Sequence, residues 1–290
     1  MTGPAKARLQ ALGAAALFST GGAAVKTAAF TAPHIAAFRS GIAAVALLVW
    51  ARGRVRWSAQ AFAVGVVYAA TLDLYVAATK LTTAANAIFL QSTSPLYLLI
   101  LGPFVLHEKV RRADALYFGA LAVGLALCFS GAITPVATAP NPRLGNMFGL
   151  LSGVSWALTI FALRYVERDV AAPGVAMASV IAGNAIASAV MLPFAWPPPA
   201  ASAADWLVVL YLGVFQIGLA YILVTNAVRE LPAFELSLLL LLEPVLNPIW
   251  TWIVWHEYPG AMTLAGGAVI VIATALKQLP TTSHQPPTTR

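Results

Sequence analysis

Three charged side chains, those of Arg39, Asp73 and Glu243, lie inside long apolar stretches of this 290-residue sequence. A charge in apolar surroundings is costly unless it is paired, neutralised by a proton, or turned towards a polar cavity. Side chains of these types can hold the opposite charge of a ligand, or take up and release a proton. The three residues are therefore the first candidates for charge or proton handling.

Arg39 and Asp73 lie at similar depths within their stretches, roughly 9 and 10 Å from the nearer end if both stretches are helical. Two interpretations are open. The side chains could form an ion pair that holds the second and third stretches together. Alternatively, Asp73 could face a cavity, where it binds an ammonium group or carries a proton. Lys26, at the end of the first stretch, is a second candidate partner for Asp73.

Glu243 directly precedes Pro244, and Ser94 precedes Pro95 in the same way. A proline inside a helix lacks a backbone donor, frees the carbonyl group four residues earlier, and bends the helix. A protonated Glu243 would donate to such a carbonyl or to a neighbouring helix; alternatively, its carboxyl group is a proton-sensitive group in a cavity. In both interpretations Pro95 and Pro244 predict bends that let their helices rock.

A second set of candidates consists of neutral polar and aromatic residues within the apolar stretches. An interhelical hydrogen bond, worth about 1 kcal/mol, would explain each of them singly. Together they indicate a cavity with polar and aromatic walls, which suits an amino acid with a large apolar side chain. The candidate substrate contacts are Ser19, Tyr75, Gln91, Ser94, Trp156, Gln216, Tyr221 and Asn247.

The composition identifies the surroundings of these residues. The chain is 60% hydrophobic and 9% charged, whereas an average soluble domain is about 25% charged. Its single cysteine, Cys128, excludes a disulfide framework and a cysteine metal cluster. No Walker glycine loop, HExxH, GxSxG or CxxC motif occurs. We therefore expect a membrane protein that is not an enzyme and that needs neither a metal nor a cofactor.

Ten apolar segments are predicted to cross the bilayer as helices, since one crossing needs about 20 residues. Of the 17 Lys and Arg residues, Arg39 lies within a span, and Lys26, Lys80 and Arg143 fall on one side, which leaves thirteen on the other. The positive-inside rule places that other side, with both termini, in the cytoplasm. The net charge of +7 therefore needs no nucleic-acid partner. The segments are 7–27, 33–51, 60–79, 83–106, 113–132, 144–164, 172–194, 206–228, 232–255 and 261–278.

The two halves of the sequence repeat with an offset of 149 residues. Pro95 corresponds to Pro244, and Glu108 corresponds to Glu257, with a histidine before each glutamate. Each half would hold five helices, and this odd number inverts one half relative to the other, which is typical of secondary transporters. The predicted fold is an all-α membrane bundle of ten transmembrane helices in two inverted five-helix repeats. Its units are 1–136, 137–279 and a disordered cytoplasmic tail over 280–290.

Short motifs in both halves carry a family resemblance: Phe18-Ser19-Thr20-Gly21-Gly22, Phe38-Arg39-Ser40-Gly41, Tyr221–Arg229, Leu242-Glu243-Pro244 and Trp255-His256-Glu257. They resemble the EamA-type transporters of the drug/metabolite transporter superfamily, and the resemblance extends to the YddG-like amino-acid exporters. It implies a central cavity lined by the first, third, fourth, sixth, eighth and ninth helices. It also implies export of small metabolites, often amino acids.

We therefore expect a secondary transporter of the bacterial inner membrane that exports amino acids, above all aromatic or large neutral ones, by alternating access as a monomer. One alternative is a multidrug or cation carrier that relies on Glu243. A nucleotide-type carrier would need more cationic groups than Arg39, Lys26 and Lys80 provide. A membrane enzyme would need a cluster of catalytic groups at one depth, and a scaffold would not need polar residues in both halves.

Overall fold

The structure, a computed structural model, describes residues 3–97, 112–131, 135–167, 174–227, 230–231 and 233–278. Within these ranges the chain is helical and forms no strand; Val136 and Ala139 make an isolated β-bridge. The expected all-α class is therefore confirmed. Glu108 and the tail over 280–290 lie outside the described residues.

The helices of the first half are mostly long and apolar, but two of them, α2 and α5, are short pieces next to a break. They are α1 (Gly3–Ser19), α2 (Gly21–Thr27), α3 (Ala32–Ala51), α4 (Ala59–Leu81), α5 (Ala84–Gln91) and α6 (Arg112–Gly131).

The second half has a similar order of long and broken helices, with one π-helical segment. Its elements are α7 (Pro142–Glu167), α8 (Val175–Met191), a 3₁₀ turn (Leu192–Phe194), α9 (Ala203–Tyr211), the π segment (Leu212–Leu219), α10 (Ala220–Ala227), α11 (Ala233–Leu240), α12 (Leu242–Trp255) and α13 (Ala261–Gln278).

Six described helical stretches are long and apolar enough to cross a membrane, and two shorter apolar helices accompany them. The long apolar helices support a membrane protein. The count of ten spans and the cytoplasmic position of both termini stay predictions. The six stretches are 32–51, 59–81, 142–163, 175–194, 203–227 and 238–255, and the shorter helices cover 115–131 and 261–277.

Two helices break where the sequence places a proline. Helix α5 ends at Gln91, four residues before Pro95, and α11 ends at Leu240, four residues before Pro244. In a continuous helix, the N–H group of residue 95 or 244 would donate to the carbonyl of Gln91 or Leu240. Proline has no such N–H group, so these carbonyl groups lack a helical donor. Both short helices have eight residues, and their first and last residues are related by the same offset of 149. Bends predicted at the two prolines are therefore present as helix breaks in corresponding places.

The π segment lies between α9 and α10, and the sequence did not predict it. A π turn widens a helix and is frequent at functional sites. Helix α3 packs closely against it, because Gly213 has no side chain: a Cβ atom there would lie 2.6 Å from Ile42 and 2.8 Å from the Arg39 carbonyl oxygen. The close contact fixes α3 beside the wider turn that carries Gln216.

Small residues also allow close contact between α7 and α5. A Cβ atom on Gly153 would lie 2.8 Å from the Leu90 carbonyl oxygen, and one on Gly149 would lie 3.2 Å from the Leu90 side chain. Such small-residue surfaces let helices approach in a bilayer, where dispersion contacts replace the hydrophobic effect. The Gly149–Gly153 stretch therefore packs inside the bundle.

A buried ion pair joins the ends of three helices. Lys26, near the end of α2, lies 2.8 Å from Glu257, which follows α12, and the two side chains are 4% and 2% exposed. Lys26 also donates to the carbonyl groups of Thr82 and Thr138. The other oxygen of Glu257 accepts from the backbone N–H of Ala84 at 2.7 Å, the first residue of α5. The carboxylate therefore stabilises a helix N-terminus as well as a lysine.

Removing the charge of Glu257 leaves Lys26 buried without its counter-ion. We expect Glu257→Gln to lower the free energy of unfolding by about 3 kcal/mol, as for other buried pairs that lose one partner. The measurement is thermal unfolding of the purified protein in detergent. The matched control is Glu235→Gln, which breaks a largely exposed pair with Arg8 and should change the melting temperature little. Equal effects of the two substitutions would contradict the stabilising role of the buried pair.

Candidate functional site

A cavity of about 370 Å³ lies where the two helix breaks meet. The broken ends contribute Gln91 and Ser92 from the first half and Leu240 and Leu241 from the second half. Backbone carbonyl groups without helical donors are tolerated at membrane depth when they line a cavity. The other lining residues are Phe18, Arg39, Tyr68, Thr71, Leu72, Tyr75, Ser94, Pro95, Trp156, Ile160, Gln216, Ile217, Tyr221, Val224, Glu243, Pro244 and Thr274.

Aromatic rings form much of the cavity wall. The ring of Tyr221 packs edge-on against Phe18 at 5.4 Å and against Tyr68 at 5.8 Å between ring centroids. Tyr68 lies 6.2 Å from Trp156. Edge-to-face packing holds each ring in a defined orientation. The wall that the rings form is rigid and suits the apolar part of a ligand.

One face of α4 supplies the centre of this wall. The spacing i, i+3, i+4 and i+7 puts four of the lining residues on one side of this helix: Tyr68, Thr71, Leu72 and Tyr75. The sequence analysis identified Tyr75 and missed Tyr68. Tyr68 precedes Tyr75 by seven residues, about two helical turns, and this spacing is the signal that would have identified it.

The polar group of Gln91 is held in place by a short chain of hydrogen bonds. Its amide nitrogen donates to the Ser152 hydroxyl at 2.7 Å, and that hydroxyl donates to the Thr71 carbonyl at 3.1 Å. Gln216 is held more loosely, since its amide donates to the Phe18 carbonyl at 3.4 Å. Both predicted contact residues therefore lie in the lining with restricted orientations.

Two of the predicted contact residues lie behind the lining. Ser19 is fully buried, where it accepts a hydrogen bond from the Trp250 indole at 2.9 Å. Asn247 donates to the Tyr75 hydroxyl at 3.2 Å from outside the cavity. The structure thus places Ser19 between helices and Asn247 as a support of Tyr75, while Tyr75, Gln91, Ser94, Trp156, Gln216 and Tyr221 lie in the lining.

Arg39 lies in the cavity wall and is 2% exposed. Its terminal nitrogen donates to the Leu72 carbonyl at 3.3 Å, and its Nε atom is buried without a hydrogen-bond partner among the described residues. The ion pair with Asp73 that similar depth suggested is not formed within this part of the chain. A guanidinium group that no carboxylate of the described residues pairs with therefore lies beside the cavity.

Asp73 lies outside the cavity lining. It follows Leu72 by one residue, which turns its side chain about 100° from that of Leu72 and away from the face that bears Tyr75. The residue is buried, and one carboxyl oxygen lacks a partner among the described residues. The alternative partner, Lys26, pairs with Glu257 instead.

Glu243 is the carboxyl group that does line the cavity. It is the second residue of α12, where the helix N-terminus favours a negative charge. Across the described residues its side chain forms no ion pair and does not donate to a carbonyl group freed by Pro244. The site therefore contains one group of each charge, Arg39 on α3 and Glu243 on α12.

Comparison with known proteins agrees with this architecture. A solved crystal structure of a protein that is 20% identical matches the fold with a TM-score of 0.64, over 95% of this chain and 97% of that chain. The pseudopaline exporter CntI of Pseudomonas aeruginosa, in strains UCBPP-PA14 and PAO1, is 29% identical over 265 residues, which is 88% of this chain and 90% of the relative. The sequence pattern of one family matches residues 5–130 and again residues 143–277, nearly the whole chain in two copies. The chain is therefore a multi-pass membrane protein that belongs to the EamA-like transporter family.

Proposed function

We propose that this protein is a secondary transporter that exports amino acids and related small metabolites through the cavity at the helix breaks. The observation that carries the proposal is the cavity itself, which is lined by both broken helices, by two side chains of opposite charge and by aromatic rings. The similarity to pseudopaline exporters supports export of a small metabolite. Proteoliposome efflux of a panel of amino acids, with pseudopaline included, tests it. A purified protein that moves none of them would contradict it.

The proposed mechanism uses two inverted repeats, residues 1–136 and 137–279, with both termini in the cytoplasm of a bacterial inner membrane. The two family matches and the equal lengths of α5 and α11 support the repeat. Related halves of opposite orientation can exchange conformations and so open one site to each side in turn. Breaks before Pro95 and Pro244 would let each short helix move against its longer partner. We propose a functional monomer without a cofactor.

The chemistry of the cavity favours an amino acid with a large neutral or aromatic side chain. Tyr68, Trp156 and Tyr221 offer ring surfaces to such a side chain. A multidrug carrier for lipophilic cations is the second candidate, because Glu243 is an unpaired carboxyl group in the same cavity. The guanidinium group of Arg39 in the wall weighs against it, since it would repel a cation.

Glu243 is also our proposed proton-handling group. A carboxyl group that holds either a proton or the cationic part of a substrate couples the two, because occupancy by one excludes the other. Export would then be exchange: protons enter at Glu243 as the substrate leaves. Arg39 would keep its charge throughout, since guanidinium groups do not lose their proton in proteins.

A larger side chain in the cavity should stop transport without disturbing the fold. Val224 lines the cavity, whereas Val66 on α4 is 56% exposed on the outside of the bundle. We expect Val224→Trp to remove most efflux from proteoliposomes, because the indole ring fills space that the substrate needs. Val66→Trp is the matched control and should transport like the unsubstituted protein. Full activity of Val224→Trp at an unchanged melting temperature would exclude this cavity as the transport site.

Proton exchange at Glu243 predicts a response to a pH gradient that depends on this side chain. With the outside acidic, we expect severalfold faster export by the unsubstituted protein, because inward proton flow drives outward substrate flow. Glu243→Gln cannot release a proton and should lose the response. Glu235→Gln, which changes a half-buried carboxyl group outside the cavity lining, should keep it. A gradient response that survives Glu243→Gln would assign the coupling to another group or to another ion.

A further inference from the structure

The guanidinium group of Arg39 forms no ion pair among the described residues. Burying one partner of an ion pair alone is strongly unfavourable in apolar surroundings. Helix α3 packs against α4, α8 and the π segment, and also against the 3₁₀ turn and α9. The carboxylate of α9, Asp205, accepts from Ala29 and Ser202 instead. In the described residues of those elements, Asp73 is the carboxylate near Arg39, and it forms no ion pair with it. An unpaired cation therefore remains at the cavity wall.

The hydrogen-bonding capacity of Arg39 is also largely unused. A guanidinium group carries five N–H donors in a planar fork that matches the two oxygens of a carboxylate. One of these donors bonds to the Leu72 carbonyl, and the buried Nε atom has no partner among the described residues. The backbone contact anchors the side chain and leaves its other N–H groups without a hydrogen bond among the described residues.

Glu243 supplies the complementary charge within the same cavity. Its helix, α12, packs against α1, α2 and α5, so the two charges belong to different groups of packed helices. Three hydroxyl groups, those of Tyr68, Tyr75 and Tyr221, lie within electrostatic range of both Arg39 and Glu243. The cavity thus presents a cation, a set of phenols and an anion in its wall.

We infer that Arg39 binds the carboxylate of the transported molecule and that Glu243 binds its ammonium group, so that the cavity selects zwitterionic amino-acid-type substrates. The inference rests on the transport function proposed above and names its substrate class. Each buried charge would gain its counter-ion from the substrate, and the cavity would be neutral when occupied. The volume of about 370 Å³ lies within the range of small-molecule pockets, about 300–1,000 Å³.

The test compares three probes that share one side chain. L-Phenylalanine carries both charges, L-phenylalaninamide lacks the carboxylate, and 3-phenylpropionate lacks the ammonium group. Their efflux from proteoliposomes, and their ability to compete with one another, are measured for the unsubstituted protein and for Arg39→Gln, Arg39→Lys and Glu243→Gln. The unsubstituted protein alone gives the preference among the probes, so the test stands even if an Arg39 variant fails to fold.

We expect the unsubstituted protein to prefer phenylalanine over each of the other probes by about tenfold or more, since buried polar groups left unpaired reject an analogue strongly. Arg39→Gln should lose the preference over the amide but keep the preference over 3-phenylpropionate, and Glu243→Gln should do the reverse. Arg39→Lys should keep part of the preference over the amide, because a lysine retains the charge without the planar fork.

The outcomes separate this inference from the proposed function. If the unsubstituted protein exports the amide as well as phenylalanine, export stands and the role of Arg39 is wrong. A preference over the amide that persists in folded Arg39→Gln also overturns it. If the unsubstituted protein moves none of the three probes and none of the amino-acid panel, the proposed function fails, and the inference fails with it.

Discussion

The cost of an unpaired charge in an apolar environment is the constraint on which this structure depends. Elsewhere in the described bundle, the buried Lys26 pairs with Glu257, and Glu257 also holds the start of α5, whereas the buried Asp73 forms no ion pair. Among the described residues, neither Arg39 nor Glu243 forms an ion pair, and both border the same cavity. We propose that a ligand completes these electrostatic interactions in the cavity.

The backbone polar groups at the helix breaks also need surroundings that are not apolar. Pro95 and Pro244 leave the carbonyl groups of Gln91 and Leu240 without helical donors, and a bilayer offers no water to satisfy them. Both residues line the cavity. The prolines thus create a polar backbone surface in the middle of an apolar bundle. They also divide two helices into separate pieces, as the proposed rocking between two conformations requires.

Much of the fold and of the candidate site could be predicted from the sequence, because the length of an apolar stretch and the position of a proline determine local structure. The long apolar helices and the breaks before Pro95 and Pro244 followed from such local signals, and six of the eight candidate contact residues lie in the cavity lining. The π segment and its contact with α3 through Gly213 could not be predicted, since they depend on how helices meet. Depth alone also could not place Asp73, because it ignores the helical face: Leu72 and Tyr75 line the cavity, and Asp73 does not.

The central claim is that one cavity between the two halves opens to each side of the membrane in turn. The most direct measurement places a single cysteine in its lining, as Ser92→Cys in a Cys128→Ala background, and follows labelling by a membrane-impermeant thiol reagent added to one side at a time. The account predicts labelling from both sides, slowed from both by a transported substrate. Labelling from one side only, at a rate that substrate does not change, would contradict it.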